Sequence, residues 1–232
     1  MKTRTRTLLV VPALLPFLVA GCVHDDDDTD PVSYQVEVLN LTAAQPLSPA
    51  AVVFHRSGYS GWEVGATAGD GLEYLAEGGT TAEFVEEAES QAAVVTTAEG
   101  EAAIAPGATG ELVVDLRGRT GLELTVAGML VNTNDAFTGV TGLGIGDLAV
   151  RETTTVDLVA WDAGTEANTE TAATVPGPAA GGEGFNTARD DTDRVSGHPG
   201  VVTRDDGLAN SALGEAHRFD HPVARLTVTR LQ

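Results

Sequence analysis

Alternating apolar and polar residues mark both ends of the region that we expect to fold. Residues 34–38 (YQVEV) alternate in this way, and so do residues 223–231, where Ala224, Leu226 and Val228 share one face. A period of two places apolar side chains on one face of a strand and polar side chains on the other. Both segments are therefore predicted to be half-buried β-strands.

Shorter apolar runs between these two segments predict further strands. The runs are residues 50–55, 112–116, 122–131 and 155–161. Short helices are predicted at residues 71–77, which end at two glycines, and at residues 84–88, which follow a Thr-Thr-Ala-Glu sequence typical of a helix start.

Strands and helices do not alternate along the sequence, which argues against a parallel α/β sheet. Many short strands, joined by turns rich in Gly, Asn and Asp, favour an all-β fold: an antiparallel β-sandwich with one or two short helices. Residues 163–210 contain few large apolar side chains, so we expect a long irregular excursion on the surface rather than a second domain. The folded domain is predicted to span residues 33–232.

The first residues have the pattern of an export signal. A basic N-terminus precedes the apolar residues 8–20, a stretch too short to remain as a membrane-spanning helix. It ends in Leu-Val-Ala-Gly followed by Cys22, the only cysteine in the sequence. This arrangement resembles a bacterial lipobox and predicts a signal peptide at residues 1–21 with lipidation of Cys22. The alternative is an ordinary secretory signal with an incidental cysteine.

An acidic segment follows the cysteine. Residues 24–31 include five aspartates and no large apolar side chain, so they have nothing to bury. We predict a solvated tether over residues 22–32. The protein is then expected to be exported and anchored to the membrane through lipidated Cys22, at the outer membrane or cell surface, and to be a monomer.

The overall charge restricts the partners. The sequence has 34 acidic and 13 basic side chains, a formal net charge of −21. Nucleic-acid binding depends on clustered Lys and Arg against the phosphates, so nucleic acid is not an expected partner. With a single cysteine, the sequence also excludes a cysteine-cluster zinc or iron–sulfur site. Cations remain compatible with this charge.

Five segments of the sequence, taken together and in their order, carry a resemblance to a known family. They are residues 34–42 (YQVEVLNLT), 71–79 (GLEYLAEGG), 129–139 (MLVNTNDAFTG), 161–166 (WDAGTE) and 222–230 (PVARLTVTR). Together they resemble the spondin N-terminal domain, in the form found in bacterial secreted proteins. The resemblance implies a calcium-binding antiparallel β-sandwich with a metal site at one edge. In animal relatives this module belongs to matrix and adhesion proteins.

The resemblance also implies the ligands and the cofactor, calcium. Asp135, Asp162 and Glu166 stand at the ligand positions of the family, although Glu166 replaces an aspartate and the aromatic residue after the first ligand is Ala136 here. The residues themselves support convergence, because both aspartates follow predicted strands whose ends gather at one edge of a sandwich. Calcium prefers such oxygen ligands.

Two further points concern this predicted site. Gly164 allows the positive φ that a chain needs to wrap around an ion. Glu111, on a neighbouring predicted strand, is a weaker fourth candidate. The alternative to a metal site is that Asp135 and Asp162 cap turns through bonds to backbone amides.

The sequence contains no motif that pairs a nucleophile with a base, so we do not expect an enzyme. The expected function is a calcium-binding, non-enzymatic binding or adhesion module for an envelope or extracellular protein or glycan. The alternative is a hydrolase of envelope or extracellular polysaccharide that uses Asp135, Asp162 or Glu111 as an acid/base pair. Such a pair would have to face an open groove.

The lipobox interpretation predicts that Cys22→Ser protein leaves the membrane fraction, because the substitution removes the thiol that carries the lipid. The measurement is the distribution of protein between membrane and soluble fractions after a salt wash, with the wild type as reference. Retention of the variant in the membrane fraction would contradict the interpretation.

Overall fold

Two antiparallel sheets face each other in the computed structural model, which describes residues 29–232. In spatial order, the first sheet consists of β4 (Thr109–Arg117), β1 (Pro31–Asn40), β10 (Ala224–Arg230) and β7 (Thr153–Leu158). The second consists of β3 (Val94–Glu99), β2 (Ala51–His55), β5 (Glu123–Met129), β6 (Ala136–Gly144), β8 (Ala160–Asp162) and β9 (Ser196–Gly197). The predicted antiparallel β-sandwich is confirmed. The predicted signal peptide and Cys22 lie outside the described residues.

Apolar residues of the predicted strands fill the space between the two sheets. Val36 of β1 lies opposite Val228 of β10, and Phe54 of β2 lies opposite Leu124 of β5. All four side chains are buried in one hydrophobic core. The alternation in β1 and β10 therefore has the predicted cause, since one face of their sheet meets this core and the other meets solvent.

Two short helices cover the outer face of the six-stranded sheet. They are α1 (Asp70–Gly78) and α2 (Ala82–Glu89), close to the predicted positions. Leu72, Leu75 and Phe84 from the helices pack with Val53 and Phe137 from the sheet. This second core explains why β2 is buried on both faces and does not alternate.

Some predicted boundaries were wrong. The predicted strand at residues 155–161 is two strands, because the chain crosses at Val159 from β7 in one sheet to β8 in the other. β1 begins at Pro31, so two residues assigned to the tether pair with β4. The strands β3, β6 and β9 were not predicted.

Residues 163–210 form few regular elements, as expected, but they are more than a surface excursion. Val175 and Val201 form a small buried cluster with Leu213, which follows the excursion. The excursion also contributes Val195 to the core beneath the helices. No helix within residues 29–232 has the length and apolarity needed to cross a bilayer.

The packing of α1 predicts a large effect of Leu75→Ala. Leu75 is fully buried, and removing such a side chain from a core costs about 2–5 kcal/mol. Chemical denaturation should show this decrease in the free energy of unfolding. Leu231→Ala, at a position that is 39% exposed, is the matched control, and we expect a much smaller change. Equal effects would contradict the packing role of α1.

Candidate metal centre

The structure brings Asp135 and Asp162 together at one end of the six-stranded sheet. Asp135 directly precedes β6 and Asp162 ends β8, and the register pairs Ala136 with Asp162. The amide of Ala163 also donates to the backbone oxygen of Asp135, over 3.3 Å. The positions of both aspartates are therefore fixed by strand pairing.

The carboxylates of this cluster are buried. Asp135 is 0% exposed, Asp162 5% and Glu166 7%. A charged carboxylate taken out of water needs hydrogen bonds or an opposite charge. The partners of each oxygen atom therefore show what the cluster can bind.

Backbone amides and the side chains of Asn168 and Thr165 satisfy three of the four carboxylate oxygens on the two aspartates. Asp135 Oδ2 accepts hydrogen bonds from the amides of Thr165 (2.8 Å) and Glu166 (3.2 Å). Asp162 Oδ1 accepts from the amide of Gly164 (2.8 Å), and its Oδ2 accepts from Asn168 Nδ2 (2.7 Å). These are the turn-capping bonds of the alternative interpretation, and they are present.

One oxygen of the pair is left over. Asp135 Oδ1 is buried and has no hydrogen-bond partner among residues 29–232. An unsatisfied buried acceptor costs about 1–3 kcal/mol, and more when it is charged. Turn capping explains Asp135 Oδ2 but leaves Oδ1 unexplained.

Gly164 shapes the turn that carries these amides. Its φ of 71° lies in the left-handed region, as predicted. A Cβ atom at this position would also lie 2.5 Å from the backbone oxygen of Arg194. Both constraints require glycine.

Electrostatics oppose ionisation of all three carboxyl groups. Burial, and then the neighbouring charge of Asp162, raises the pKa of Asp135 above its ordinary value. Burial also raises the pKa of Asp162, against the hydrogen bonds from Asn168 and Gly164. Burial raises the pKa of Glu166 to about 7, against the side chain of Asn134. A bound cation would lower these raised pKa values, because it stabilises the ionised carboxylates.

Glu166 and Glu111 are placed differently from the two aspartates. The Glu166 carboxylate lies among the charges of Glu77, Asp190 and Glu183. Glu111 lies on the exposed face of β4 in the other sheet, where its Oε1 accepts a hydrogen bond from Gln35 Nε2 (2.8 Å). The structure does not bring Glu111 to the cluster. Within the described part of the chain, His, Cys, Asp and Glu side chains form no group of three or more already arranged to hold a metal ion.

Several residues at this place were not identified from the sequence. They are Glu77, Asn134, Thr165, Asn168 and His198. Asn134 and Thr165 lie within the segments quoted for the resemblance. Each directly precedes a predicted ligand, Asp135 or Glu166, and this adjacency could have identified them. Glu77 lies one helical turn after Glu73 and beside the apolar positions of α1, where a buried carboxylate is unusual.

His198 holds Asn168 in place. Its Nδ1 accepts the amide of Gly200 (3.0 Å), so its Nε2 carries the proton and donates to Asn168 Oδ1 (3.2 Å). That bond directs Asn168 Nδ2 toward Asp162. Burial lowers the pKa of His198 to about 4, which keeps the ring neutral at physiological pH.

The Spondin_N family profile matches residues 42–179, more than half of the chain. The chain belongs to the Spondin_N family. The Spondin_N match includes Asp135, Asp162 and Glu166, and it also includes helix α1. Membership supports a binding or adhesion-like module rather than an enzyme. A comparison with curated proteins gave no match.

The donor set of this Spondin_N domain fits a hard cation. Asp135 and Asp162 offer carboxylate oxygens, Thr165 offers a hydroxyl oxygen beside Asp135, and Glu166 offers a carboxylate one residue further along the same turn. Calcium takes such oxygen ligands. Asp135 Oδ1 is an acceptor atom without a hydrogen-bond partner in the described residues, so it would be free to contact such a cation.

Glu170 is a second buried carboxyl group close to this turn. It is 1% exposed, its amide donates to Asn134 Oδ1 (3.1 Å) and its Oε1 accepts from the amide of Val202 (3.1 Å). Burial raises the pKa of Glu170 from 4.5 to about 7. The unfolded chain therefore ionises at lower pH than the folded protein.

The raised pKa of Glu170 predicts that Glu170→Gln changes the free energy of unfolding in a pH-dependent way when a metal chelator is present. A raised folded-state pKa gives a stabilisation that is present below pH 4.5 and is lost as the pH rises through about 7. The neutral glutamine avoids that loss, so the variant should be more stable than the wild type at pH 8, by up to about 3 kcal/mol, and similar at pH 4. Urea unfolding at both pH values measures this. The exposed Glu101→Gln is the control, and a difference for Glu170→Gln that is independent of pH would contradict the assignment.

Proposed function

We propose that this Spondin_N domain is a non-enzymatic binding module of the cell envelope that holds one calcium ion at the Asp135–Asp162 cluster. Asp135, Asp162 and Glu166 are the proposed ligands. The observation that carries the proposal is the buried Asp135 Oδ1, which has no hydrogen-bond partner among the described residues. Calcium binding would give this atom a ligand role and neutralise the surrounding carboxylates.

The ion would stabilise a turn and present it to a partner. Asp135 belongs to the β5–β6 turn, and Gly164 to Glu166 follow β8, so one ion would connect two segments that are far apart in the sequence. Neighbouring loops would then offer a fixed surface to an envelope or extracellular protein or glycan. The proposed partner class follows from the family and from the acidic charge, which does not suit nucleic acid.

Burial of the carboxylates favours binding over hydrolysis. A glycoside hydrolase needs two carboxyl groups that face a substrate across an open groove. Asp135 and Asp162 are almost completely buried, and Glu111 lies on the other sheet. The polysaccharide hydrolase therefore remains the less supported alternative.

The proposed location follows from the sequence pattern around Cys22. A lipidated cysteine followed by an acidic tether would hold the domain at the outer membrane or cell surface. Each buried methylene of an acyl chain contributes about 0.8 kcal/mol to membrane binding. The first strand begins at Pro31, so this tether would be short.

Calcium should raise the melting temperature of the protein, and chelator should lower it. An ion that binds only the folded state stabilises it by about 2.7 kcal/mol at a hundredfold excess over Kd. Asp162→Asn should lose most of this response, because it removes one charge from the cluster at nearly constant shape. Thermal unfolding with calcium and with chelator is the measurement.

Asp205→Asn is the control for charge screening. Asp205 is exposed and accepts a hydrogen bond from the amide of Glu215 (3.2 Å), away from the cluster. Its variant should keep the full calcium response. Equal responses of Asp162→Asn and the wild type would mean that calcium acts only on the acidic surface, and the proposed site would be wrong.

A further inference from the structure

Glu77 in α1 is a buried carboxylate with only half of its oxygen atoms used. The residue is 0% exposed, and its Oε2 accepts a hydrogen bond from the amide of Asn186 (2.8 Å). Its Oε1 is buried and has no hydrogen-bond partner among residues 29–232. Glu77 in α1 therefore resembles Asp135 next to β6, because each buried carboxylate has one oxygen atom with a hydrogen bond and one without.

The two half-satisfied carboxylates are neighbours. The charge of Glu77 acts on both Asp135 and Glu166. The excursion connects their surroundings: the amide of Asn186 donates to Glu77 Oε2 (2.8 Å), and four residues later the amide of Asp190 donates to the backbone oxygen of Thr165 (3.0 Å). The amide of Thr165 in turn donates to Asp135 Oδ2 (2.8 Å). Glu77 Oε1 and Asp135 Oδ1 are both buried and without a hydrogen-bond partner among residues 29–232, and the excursion links the segments that carry them.

The cationic side chain that acts on Glu77, Arg189, is engaged elsewhere. Arg189 donates from Nε (3.0 Å) and Nη2 (2.5 Å) to Glu73 Oε2, and from Nη1 to Asp193 Oδ1 (2.8 Å). Its charge reaches Glu77 only through space. The arginine therefore neutralises Glu73 and leaves Glu77 without a direct counter-charge among the described residues.

The position of Glu77 in the helix adds to this requirement. Glu77 is the penultimate residue of α1 (Asp70–Gly78). The last turn of this helix, all of which the structure describes, contains no basic residue. Carbonyl oxygens at a helix C-terminus carry partial negative charge, which disfavours a carboxylate and favours a cation. A bound cation would interact favourably with both the buried carboxylate and the partial negative charge at the helix end.

We infer that Glu77 is a ligand of the proposed calcium ion, supplying Oε1 to the same ion as Asp135 Oδ1. The inference rests on the proposed function and extends it, because the ion would then connect α1 with the β5–β6 turn and with the turn after β8. The excursion would join this assembly through Asn186, whose amide holds the other oxygen of Glu77.

The test compares Glu77→Gln with Glu73→Gln in the full chain. Both variants remove one buried negative charge from α1, but Glu73 is paired with Arg189 and Glu77 is not. Calcium affinity is measured by titration calorimetry and by luminescence of terbium at the site, excited through Trp161 beside Asp162. Unfolding in chelator measures the stability of each variant without the ion.

A ligand role predicts opposite effects with and without calcium. Glu77→Gln should raise the Kd for calcium at least tenfold, whereas in chelator it should melt at or above the temperature of the wild type, because a repulsive charge is gone. Glu73→Gln should keep the Kd within threefold of the wild type and should melt lower in chelator, because Arg189 loses its partner. Glu86→Gln, on the exposed face of α2, should change neither quantity.

The outcomes separate this inference from the proposed function. Absence of calcium binding by the wild type would overturn the proposed function, and the ligand role with it. Binding by the wild type and loss of binding by Asp162→Asn, together with unchanged affinity of Glu77→Gln, would overturn the ligand role alone. Equal destabilisation of Glu77→Gln with and without calcium would show a structural role and would also overturn it. If Glu77→Gln does not fold, Glu77→Asp replaces it, and unchanged affinity of that variant would overturn the inference.

Discussion

Repulsion between two buried aspartates is the constraint around which this end of the sheet is organised. The pairing of Ala136 with Asp162, and the bond from Ala163 to Asp135, prevent the carboxylates from separating without disrupting the sheet. Low polarisability in a protein interior makes such repulsion stronger than it is in water. The fold offsets part of this cost by directing the backbone amides of the turn after β8, and Asn168 Nδ2, at the carboxylate oxygens.

The two helices on the outer face of the six-stranded sheet provide the surface on which the excursion packs. Burial of Leu72 and Leu75 fixes the rotation of α1 on the six-stranded sheet. Glu77 lies two residues after Leu75 and therefore on a different side of the helix, where the excursion covers it. The excursion then packs on the helix through the amide of Asn186 and through a stack of Phe185 on Tyr74, with ring centroids 3.5 Å apart. The irregular segment is thus held by specific contacts, although it contains little regular structure.

The predictability of each strand depended on its surroundings. β1 and β10 were found from alternation, because one side of their sheet meets solvent. β3 and β6 gave no such signal: the burial of β3 does not alternate, and β6 contains three glycines, which are poor strand formers. The break between β7 and β8 was also invisible, because the apolar residues 158–161 continue through it without a turn residue.

The candidate site was predicted in part for a similar reason. Resemblance and strand ends located Asp135 and Asp162, which the strand register brings together. Linear sequence could not show that Glu111 faces away on the other sheet, nor that the excursion covers Glu77. The two interpretations of the aspartates also proved compatible. Amide bonds occupy Oδ2 of Asp135 and hold the carboxylate in one orientation, so that Oδ1 points away from the turn amides and is preorganised for another partner. Turn capping is then the means by which the backbone would prepare a cation ligand.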